Sequence, residues 1–432
     1  MPYQMGKRLS GERASKLGHL DVVNSELVNE LIQKFEDQEP AKIESPANWE
    51  AIPDGEIPLR LIFAVDGSKQ TIRSDFPPYK ELSFIKTALL RLDQHAIEKL
   101  DPLAPHPMAL RDIMSDSGMY HATVLPLKGV NIKGLSNYDA VRKIIFDSMQ
   151  DRSLNAEPYK TLKWLAYEKW SGQSKSSPSF GCPHCEMEVC GLPFDQDEGA
   201  CEHCGGHLYL TDMIGFHLEM SDDAAPDSVA TAYMLIHETL LLFTGIRFFW
   251  EAEKYSVLGN ALFIKDGPLF LKGQYSKLVI PLRNFFEFAK HKNIAVHVVG
   301  QEKTGAFFDH LEIIARNAPV NTFFAPSNEY IRKEIQHRPE RSEPYGSRTN
   351  YGNKIFVKYD EYHHLVLSVP TGKYTDTHTS EVFISLSKIL ASLPPILSHR
   401  YECALVPIEL ANGVASLSSY PSAAILKVFA EI

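Results

Sequence analysis

Two closely spaced pairs of cysteines constrain the fold of this 432-residue chain more than any other feature. The motif CPHC occupies 182–185 and the motif CEHC occupies 201–204. Four thiolates in two close pairs satisfy the tetrahedral coordination that Zn²⁺ prefers, and each short loop turns its backbone toward the ion. We therefore expect structural zinc, and its predicted ligands are Cys182, Cys185, Cys201 and Cys204.

The role of this cysteine module is open between a scaffold or docking element and a surface that contacts nucleic acid. A Ser-rich connector at 171–181 opens the module, and so short a segment cannot bury enough core to fold without its metal. Four cysteines fill the coordination shell, so catalytic zinc is not expected. Cys190 lies outside the pattern and is predicted to be a spectator.

Composition and charge exclude some classes of protein. Hydrophobic residues make up 44% and charged residues 23% of the chain, which is ordinary for a globular protein. The formal net charge of −10 argues against a protein that coats nucleic acid non-specifically, although a locally basic channel is compatible with it. No uninterrupted apolar run reaches the roughly 18 residues of a membrane span, and the N-terminus lacks an apolar signal core. We expect a cytoplasmic protein without membrane association.

Two aspartates stand at the ends of predicted strands. The strand-like run at 59–65 leads into Asp66 within the sequence VDGS, and the run at 261–265 leads into Asp266 within KDGP. In an α/β sheet, ligands and chemistry collect at the carboxyl ends of the strands, and the glycine that follows lets a backbone or substrate approach closely. An ionised carboxylate that is buried needs a compensating partner. A single Asp-Gly motif after a strand is usually an ordinary turn. A third carboxylate is therefore needed before a catalytic site is the better interpretation.

The third carboxylate is Glu238, in an apolar helix predicted over 229–243. Because this helix is apolar on nearly every side, it is expected to be buried, and a glutamate inside it needs a cation, a hydrogen-bond network or a raised pKa. Two explanations stay open. Either Glu238 shares a divalent metal with the two aspartates, or it pairs with a buried arginine such as Arg247 or faces solvent.

Carboxylates that converge from two strands and a helix suit hard cations, which prefer oxygen ligands, so the expected ion is Mn²⁺ or Mg²⁺. Two such ions about 3.5–4 Å apart activate a water and stabilise the departing oxygen in phosphodiester hydrolysis. The predicted chemistry is metal-dependent hydrolysis of phosphodiester bonds. The predicted catalytic metal ligands are Asp66, Glu238 and Asp266.

The order of predicted elements indicates an α/β fold. A strand at 261–265, a helix at 275–292 and a strand at 294–300 alternate, a second strand at 82–92 follows the first, and 354–370 is predicted to form a hairpin. The predicted segments are an N-terminal helical and extended segment at 1–58, the first part of the main domain at 59–170, the cysteine module at 171–217 and the second part of the main domain at 218–432.

Several of these segments, in this order, resemble the NurA nuclease domain. The matching sequences are FAVDGS at 63–68, the helix that carries Glu238, LFIKDGPLFL at 262–271 and VVGQEKTG at 298–305. The resemblance covers 59–170 and 218–432, and its most specific parts are the two Asp-Gly motifs. It implies an RNase H-like mixed sheet flanked by helices, with the four-cysteine zinc ribbon as an insertion that marks a bacterial branch.

The resemblance also implies roles for single residues. Asp66 is the first-strand metal ligand, Glu238 the helix carboxylate and Asp266 the second-strand ligand. Lys303 stands where the family has a lysine after a strand, so it is a candidate phosphate contact, with an ordinary solvated lysine as the alternative. Asn412 stands where a histidine is expected. Asparagine can coordinate or hydrogen-bond but cannot act as an acid or base, which affects the expected activity and metal preference.

The implied function is that of a DNA nuclease, an exonuclease with endonuclease action as an extension, which uses Mn²⁺ and acts on DNA ends in repair or antiviral defence. The implied partners are a second copy of the chain, in a homodimer, and a hexameric HerA-type ATPase translocase. The chain has no Walker A motif, so ATP-driven motion requires a partner. Two alternatives remain: a catalytically weak zinc-ribbon adaptor that binds DNA and docks on the translocase, and an RNA-directed hydrolase.

Overall fold

The computed structural model describes residues 18–35, 48–101, 106, 108–111, 118–339, 343–376, 378–401, 403–417 and 420–432. The chain divides into two compact units, 1–44 and 45–432. The first unit contains α1 (Gly18–Val23) and α2 (Glu26–Lys34), and the Ser25 side chain caps α2 by accepting the Val28 N–H. The rest of the predicted N-terminal segment, at 1–17 and 36–47, lies outside the described residues.

The second unit is built on a mixed β-sheet. In chain order the strands are β1 (Glu50–Ala51), β2 (Leu61–Arg73), β3 (Glu81–Asp93), β4 (Gly118–Lys128), β5 (Phe180–Gly181), β6 (Glu188–Val189), β7 (Glu198–Ala200), β8 (His207–Tyr209), β9 (Ala261–Asp266), β10 (His297–Glu302), β11 (Thr322–Phe324), β12 (Asn353–Lys358) and β13 (His364–Val369). Within the described residues, nine of them form one sheet in the order β1-β11-β12-β13-β10-β9-β2-β3-β4.

Helices cover both faces of this sheet. They are α3 (Gln94–Glu98), α4 (Asn137–Met149), α5 (Glu157–Ala166), α6 (Asp227–Glu251), α7 (Tyr255–Leu258), α8 (Val279–His291), α9 (Ala306–Ile314), α10 (Asn328–Tyr330), α11 (Leu386–Ser392), α12 (Val406–Ala415) and α13 (Ser422–Phe429).

The pairing of the strands confirms the predicted fold class. Strands β2, β3 and β4 form an antiparallel meander, and β9 and β10 then run parallel to β2. The predicted hairpin is β12–β13, and α6 and α8 lead into β9 and β10 respectively. The chain is therefore an α/β protein with an RNase H-like mixed sheet flanked by helices and an inserted four-cysteine module.

Strand β2 separates two hydrophobic cores, because its successive side chains point to opposite faces of the sheet. Phe63 and Val65 join the core formed with α4, α5, α6, α8 and the cysteine module, and we call this side the module face. Ile62 and Ala64 join the core formed with α11 and α12, and we call this side the α12 face. The same alternation places Asp66 on the α12 face.

Helix α6 is the central helix of the module face. Within the described ranges it is the one helix long and apolar enough to cross a membrane by length and composition, and 78% of its most apolar window is buried inside the protein. His237, Glu238 and Arg247 interrupt its apolar runs. It packs against β2, β3 and α5, so its hydrophobicity is used in the protein core.

Candidate functional site

The four predicted zinc ligands lie together. The Sγ atoms that all lie within 4.8 Å of one another belong to Cys182, Cys185, Cys201 and Cys204. The sulfur atoms of Cys182 and Cys204 are 3.8 Å apart, as are those of Cys185 and Cys201. Backbone N–H groups from both turns donate to sulfur at 3.3–3.4 Å. The cluster is positioned to bind a metal ion and fits structural zinc.

Buried contacts join the cysteine module to α4, a helix that packs against β4 of the main sheet. Arg142 on α4 donates from Nε and Nη2 to the two carboxylate oxygens of Asp212, at 3.0 and 2.8 Å, and both side chains are almost fully buried. Arg142 also donates to the His207 carbonyl, which accepts from His184 Nε2 as well. These are the contacts that a scaffold role requires. Cys190 is exposed and lies outside the cluster.

Asp66 lies inside β2, so the prediction that it ends its strand is wrong. Strand β2 continues to Arg73 because β3 pairs with it over its whole length, whereas its other neighbour, β9, ends at Asp266. The Asp66 side chain is 4% exposed. Its Oδ1 accepts the Gly67 N–H at 2.7 Å, and its Oδ2 has no hydrogen-bond partner among the described residues.

The pKa of Asp66 is raised to about 7, and burial is the largest cause. The negative charges of Asp266 and Glu238 contribute to this rise, whereas the nearby Asn412 amide and the Gly67 N–H oppose it. The three predicted carboxylates and Asn412 therefore lie close enough to act on one another electrostatically. With this pKa the Asp66 carboxyl group is partly protonated near neutral pH, and a cation that binds there displaces the proton.

Asp266 is the last residue of β9 and is partly exposed. Its Oδ1 pairs with Lys303 Nζ at 3.0 Å, and Lys303 lies directly after β10. The predicted phosphate contact is therefore held at the candidate site by a carboxylate. Because the Lys303 side chain is one-third exposed, it can also reach a ligand.

Glu238 is buried and pairs with Lys265. Lys265 Nζ donates to Glu238 Oε2 at 2.7 Å and to the backbone carbonyl of Asp266 at 3.0 Å. Burial opposes the charge of Lys265, but the Glu238 carboxylate outweighs it and raises the pKa of the lysine. The arginine suggested as an alternative partner, Arg247, instead pairs with acidic residues on α5 and α6. Glu238 thus has a cationic partner, and that partner is a lysine.

The three carboxylates approach from two sides of the sheet. Val65 and Lys265 are register partners on β2 and β9, so the next residues, Asp66 and Asp266, both project to the α12 face. Glu238 approaches from the module face. A Cβ atom at Gly67 would lie 2.5 Å from Glu238 Oε1, so only glycine lets that carboxylate come so close. Among the described residues, the cysteines alone form a group of ligand atoms all within 4.8 Å.

A cavity of about 800 Å³ opens beside the two aspartates on the α12 face. Its wall contains Asn412 from α12 and Lys303, the direct neighbours of Asp66 and Asp266. His399 and Arg400 lie on the same wall. The same wall also carries three acidic side chains, Glu98, Asp101 and Glu409. The cavity therefore combines basic, acidic and amide groups, of which the basic groups suit a phosphate ligand.

Two residues of the site have no role in the sequence prediction. Lys265 immediately precedes Asp266 in an otherwise apolar strand, and a lysine there must find a partner when it is buried, so the signal was present. Gln301 is completely buried next to Asp266, but a glutamine at a strand end carries no comparable signal.

The residues present fit a hard divalent cation. Asp66 Oδ2 is a buried carboxylate oxygen without a partner, and Asp266 supplies a second carboxylate on the same face. Mn²⁺ and Mg²⁺ prefer such oxygen donors. The pair of lysines that contact Glu238 and Asp266 keeps the site from accumulating three unpaired negative charges.

The fold and these sites define a mixed α/β protein with a four-cysteine metal cluster and an acidic site on its main sheet. No protein-family model matches the chain, and no curated protein is similar to it in sequence. A solved structure described as "Crystal structure of NurA" aligns with 96% of this chain and 95% of its own, at 10% identity and a TM-score of 0.29. Both the sequence identity and the TM-score of this alignment are low.

Proposed function

We propose that this chain is a nuclease that requires Mn²⁺ or Mg²⁺ and hydrolyses phosphodiester bonds in DNA. The observation that carries the proposal is Asp66, a buried carboxyl group with an unpartnered oxygen beside a second carboxylate, Asp266. The adjoining cavity is lined by Lys303 and Arg400, which suit the phosphates of a nucleic acid. Carboxylates that can hold a cation, beside cationic side chains that can contact phosphate, are the groups that metal-dependent phosphodiester hydrolysis needs.

Each residue of the site has a defined task in this proposal. Asp66 and Asp266 would hold the cation, which when bound polarises the phosphate and activates water. Asp66 loses its proton on binding, since only the carboxylate is a ligand. Lys303 is then released from Asp266 and available to a phosphate oxygen. Asn412 hydrogen-bonds to the substrate or to Asp66 but transfers no proton.

Glu238 is the third carboxylate of the proposal. Its Oε2 accepts from Lys265, so only Oε1, which lies against Gly67, is directed toward the neighbourhood of Asp66. If it contributes to metal binding, it does so from the module face, with Lys265 limiting its charge. Its replacement by glutamine would keep the hydrogen bond to Lys265 and remove the negative charge.

The test is digestion of linear and circular DNA, single- and double-stranded, with Mn²⁺, Mg²⁺ or a chelator. We expect Asp66→Asn and Asp266→Asn to lower the rate at least about 100-fold, because metal ions contribute several kcal/mol to such reactions. Asp75→Asn is the matched control, since this exposed aspartate pairs with Lys427 away from the site. Equal digestion rates for the wild type and all the variants would refute the proposal. If the protein cleaved RNA but not DNA, the substrate would be RNA.

The proposed nuclease also has proposed partners and a proposed role in the cell. We propose a NurA-like nuclease of a bacterial branch that acts in the cytoplasm as a homodimer with a HerA-type hexameric ATPase, in DNA-end repair or antiviral defence. The acidic net charge of −10 supports an enzyme to which DNA is delivered by a translocase. Co-purification with the ATPase and ATP-dependent stimulation of digestion test this pairing; a nuclease rate that the ATPase leaves unchanged contradicts it.

The second candidate function is a zinc-ribbon adaptor with little catalytic activity. It is favoured by the ion pairs that already occupy two of the three carboxylates and by Asn412, which cannot act as an acid or base. An adaptor would bind DNA or the translocase equally well with and without divalent metal. Its rate of DNA digestion would also be the same in the wild type and in Asp66→Asn.

A further inference from the structure

Gln301 is a buried polar side chain whose oxygen lacks a partner. It lies on β10 and has no exposed surface. Its Nε2 donates to the Cys403 carbonyl at 2.5 Å, which fixes the orientation of the amide because only the nitrogen end can donate. Oε1 is therefore directed away from that carbonyl, and it has no hydrogen-bond partner among the described residues. A buried acceptor in this state costs free energy unless a donor or cation reaches it.

The strand register places this oxygen beside the aspartates. Gln301 is the register partner of Asp266 on the parallel strands β10 and β9, and Asp266 follows the pair Val65–Lys265 on β2 and β9. Asp66, Asp266 and Gln301 therefore form a row across three adjacent strands on the α12 face. Neighbouring strands are about 4.8 Å apart, so Asp66 and Gln301, which are two strands apart, lie on either side of Asp266 and face the space above it.

Two unpartnered oxygens lie in this row, Asp66 Oδ2 and Gln301 Oε1. When Asp66 is ionised, both atoms are acceptors only and cannot satisfy each other. The nearby lysine, Lys303, is already paired with Asp266 Oδ1. A hard cation, which takes carboxylate and amide oxygens together, satisfies both atoms at once.

We propose that Gln301 Oε1 is a ligand of the same divalent cation as Asp66 and Asp266, a role that rests on the proposed function. The ligand set on the α12 face is then two carboxylates and one neutral amide oxygen, with Asn412 beside Asp66. The Cys403 carbonyl holds the Gln301 amide in its metal-facing orientation. This site is complete without Glu238, which lies on the other face and remains paired with Lys265.

The experiment titrates Mn²⁺ into zinc-loaded full-length protein by calorimetry, with free Mn²⁺ followed by electron paramagnetic resonance. We compare the wild type with Gln301→Leu and with His297→Leu. The control is matched because buried His297 also lies on β10 and donates to a backbone carbonyl, that of Gly259, at 3.0 Å. We expect Gln301→Leu to weaken Mn²⁺ binding on the order of tenfold, as loss of even an indirect metal contact does, and His297→Leu to change it less than twofold.

Equal Mn²⁺ affinity in Gln301→Leu and the wild type would overturn the role of Gln301 while leaving the nuclease proposal intact. Absence of any Mn²⁺ binding by the wild type would overturn both. A crystal structure of the wild type with Mn²⁺ provides a test that needs no variant. An Oε1–metal distance of about 2.2 Å supports direct ligation, and a separation beyond about 3.5 Å overturns it.

Discussion

Asp66, Asp266 and Glu238 show three ways in which a protein compensates a carboxyl group. Glu238 has a buried lysine at 2.7 Å, and Asp266 has a partly exposed lysine at 3.0 Å. Asp66 forms no ion pair with a cationic side chain among the described residues, and its pKa is raised to about 7, chiefly by burial. Without metal, Asp66 is therefore partly protonated near neutral pH.

Replacement of Asp66 by asparagine should change how stability depends on pH. The raised pKa means that the folded protein retains a proton between about pH 4 and 7 that the unfolded chain has released. The free energy of unfolding therefore falls as pH rises through this window. Each pKa unit corresponds to about 1.4 kcal/mol, so we expect the metal-free wild type to lose roughly 3 kcal/mol more than Asp66→Asn between pH 5 and pH 8. Urea unfolding at both pH values measures this difference.

Buried histidines change the free energy of unfolding with pH in the opposite direction, and the wild type and Asp66→Asn both contain them. Burial lowers the pKa of His121 and His237, so their contribution to stability is lost as pH falls below about 6.5. Comparison with Asp66→Asn cancels this background. Identical pH profiles for the two proteins would contradict the raised pKa of Asp66. Addition of Mn²⁺ to the wild type should restore the free energy of unfolding that is lost at pH 8.

At the scale of elements, the cysteine module is part of the main core. Cys182, Cys201 and Leu208 belong to the same buried cluster as residues of α4, α5 and α6, and the Arg142–Asp212 pair closes the contact. Its own strands have only two or three residues each. Such short strands need metal to keep their geometry.

Zinc removal should therefore destabilise the main domain and not only the module. We expect Cys185→Ser, or a strong chelator acting on the wild type, to lower the free energy of unfolding by about 3 kcal/mol or more. Loss of zinc should also reduce the protection of backbone amides against hydrogen exchange in α4, because Arg142 of this helix contacts the module. Denaturant unfolding and hydrogen exchange measure both effects.

Cys190→Ser is the matched control for the zinc variant, since this exposed thiol lies in the module but outside the cluster. It should retain zinc and change stability by less than about 0.5 kcal/mol. If Cys185→Ser lost zinc but kept full stability and full protection of α4, the module would be an independent appendage. The scaffold role would then be wrong.

At the scale of the whole molecule, charge placement matters more than total charge. The chain carries a net charge of −10, yet the cavity beside Asp66 and Asp266 is lined by Lys303 and Arg400. Within this cavity a nucleic acid would be attracted to Lys303 and Arg400 and repelled by the acidic side chains Glu98, Asp101 and Glu409. The affinity of the cavity for DNA therefore depends on a few contacts between its cationic side chains and phosphates.

We expect Lys303→Gln and Arg400→Gln each to weaken binding of single-stranded DNA and to reduce the slope of log affinity against log salt by about 0.7, the value per phosphate contact. Fluorescence anisotropy across a salt series, with Ca²⁺ in place of Mn²⁺, measures both quantities without cleavage. Lys143→Gln is the control, because Lys143 pairs with Asp147 on the exposed side of α4. An unchanged slope in both cavity variants would place the DNA elsewhere.

Much of the architecture follows from local patterns. The alternation of β9, α8 and β10, the β12–β13 hairpin and the four-cysteine cluster were all predicted, because apolar periodicity and metal-ligand spacing are properties of neighbouring residues. The site was predicted less completely. Asp66 was expected to end its strand, but only the pairing of β3 with β2 determines that the strand continues to Arg73.

The sequence by itself determined the α/β class, the four cysteines that cluster and the three carboxylates to consider, because each depends on residue type and local spacing. Only the tertiary structure decided which groups neutralise those carboxylates and from which face each arrives. Lys265 and Gln301 take their positions from strand register, and Lys303 follows directly after β10. The register follows from packing between segments far apart in the chain, and a one-residue shift would turn every side chain to the opposite face.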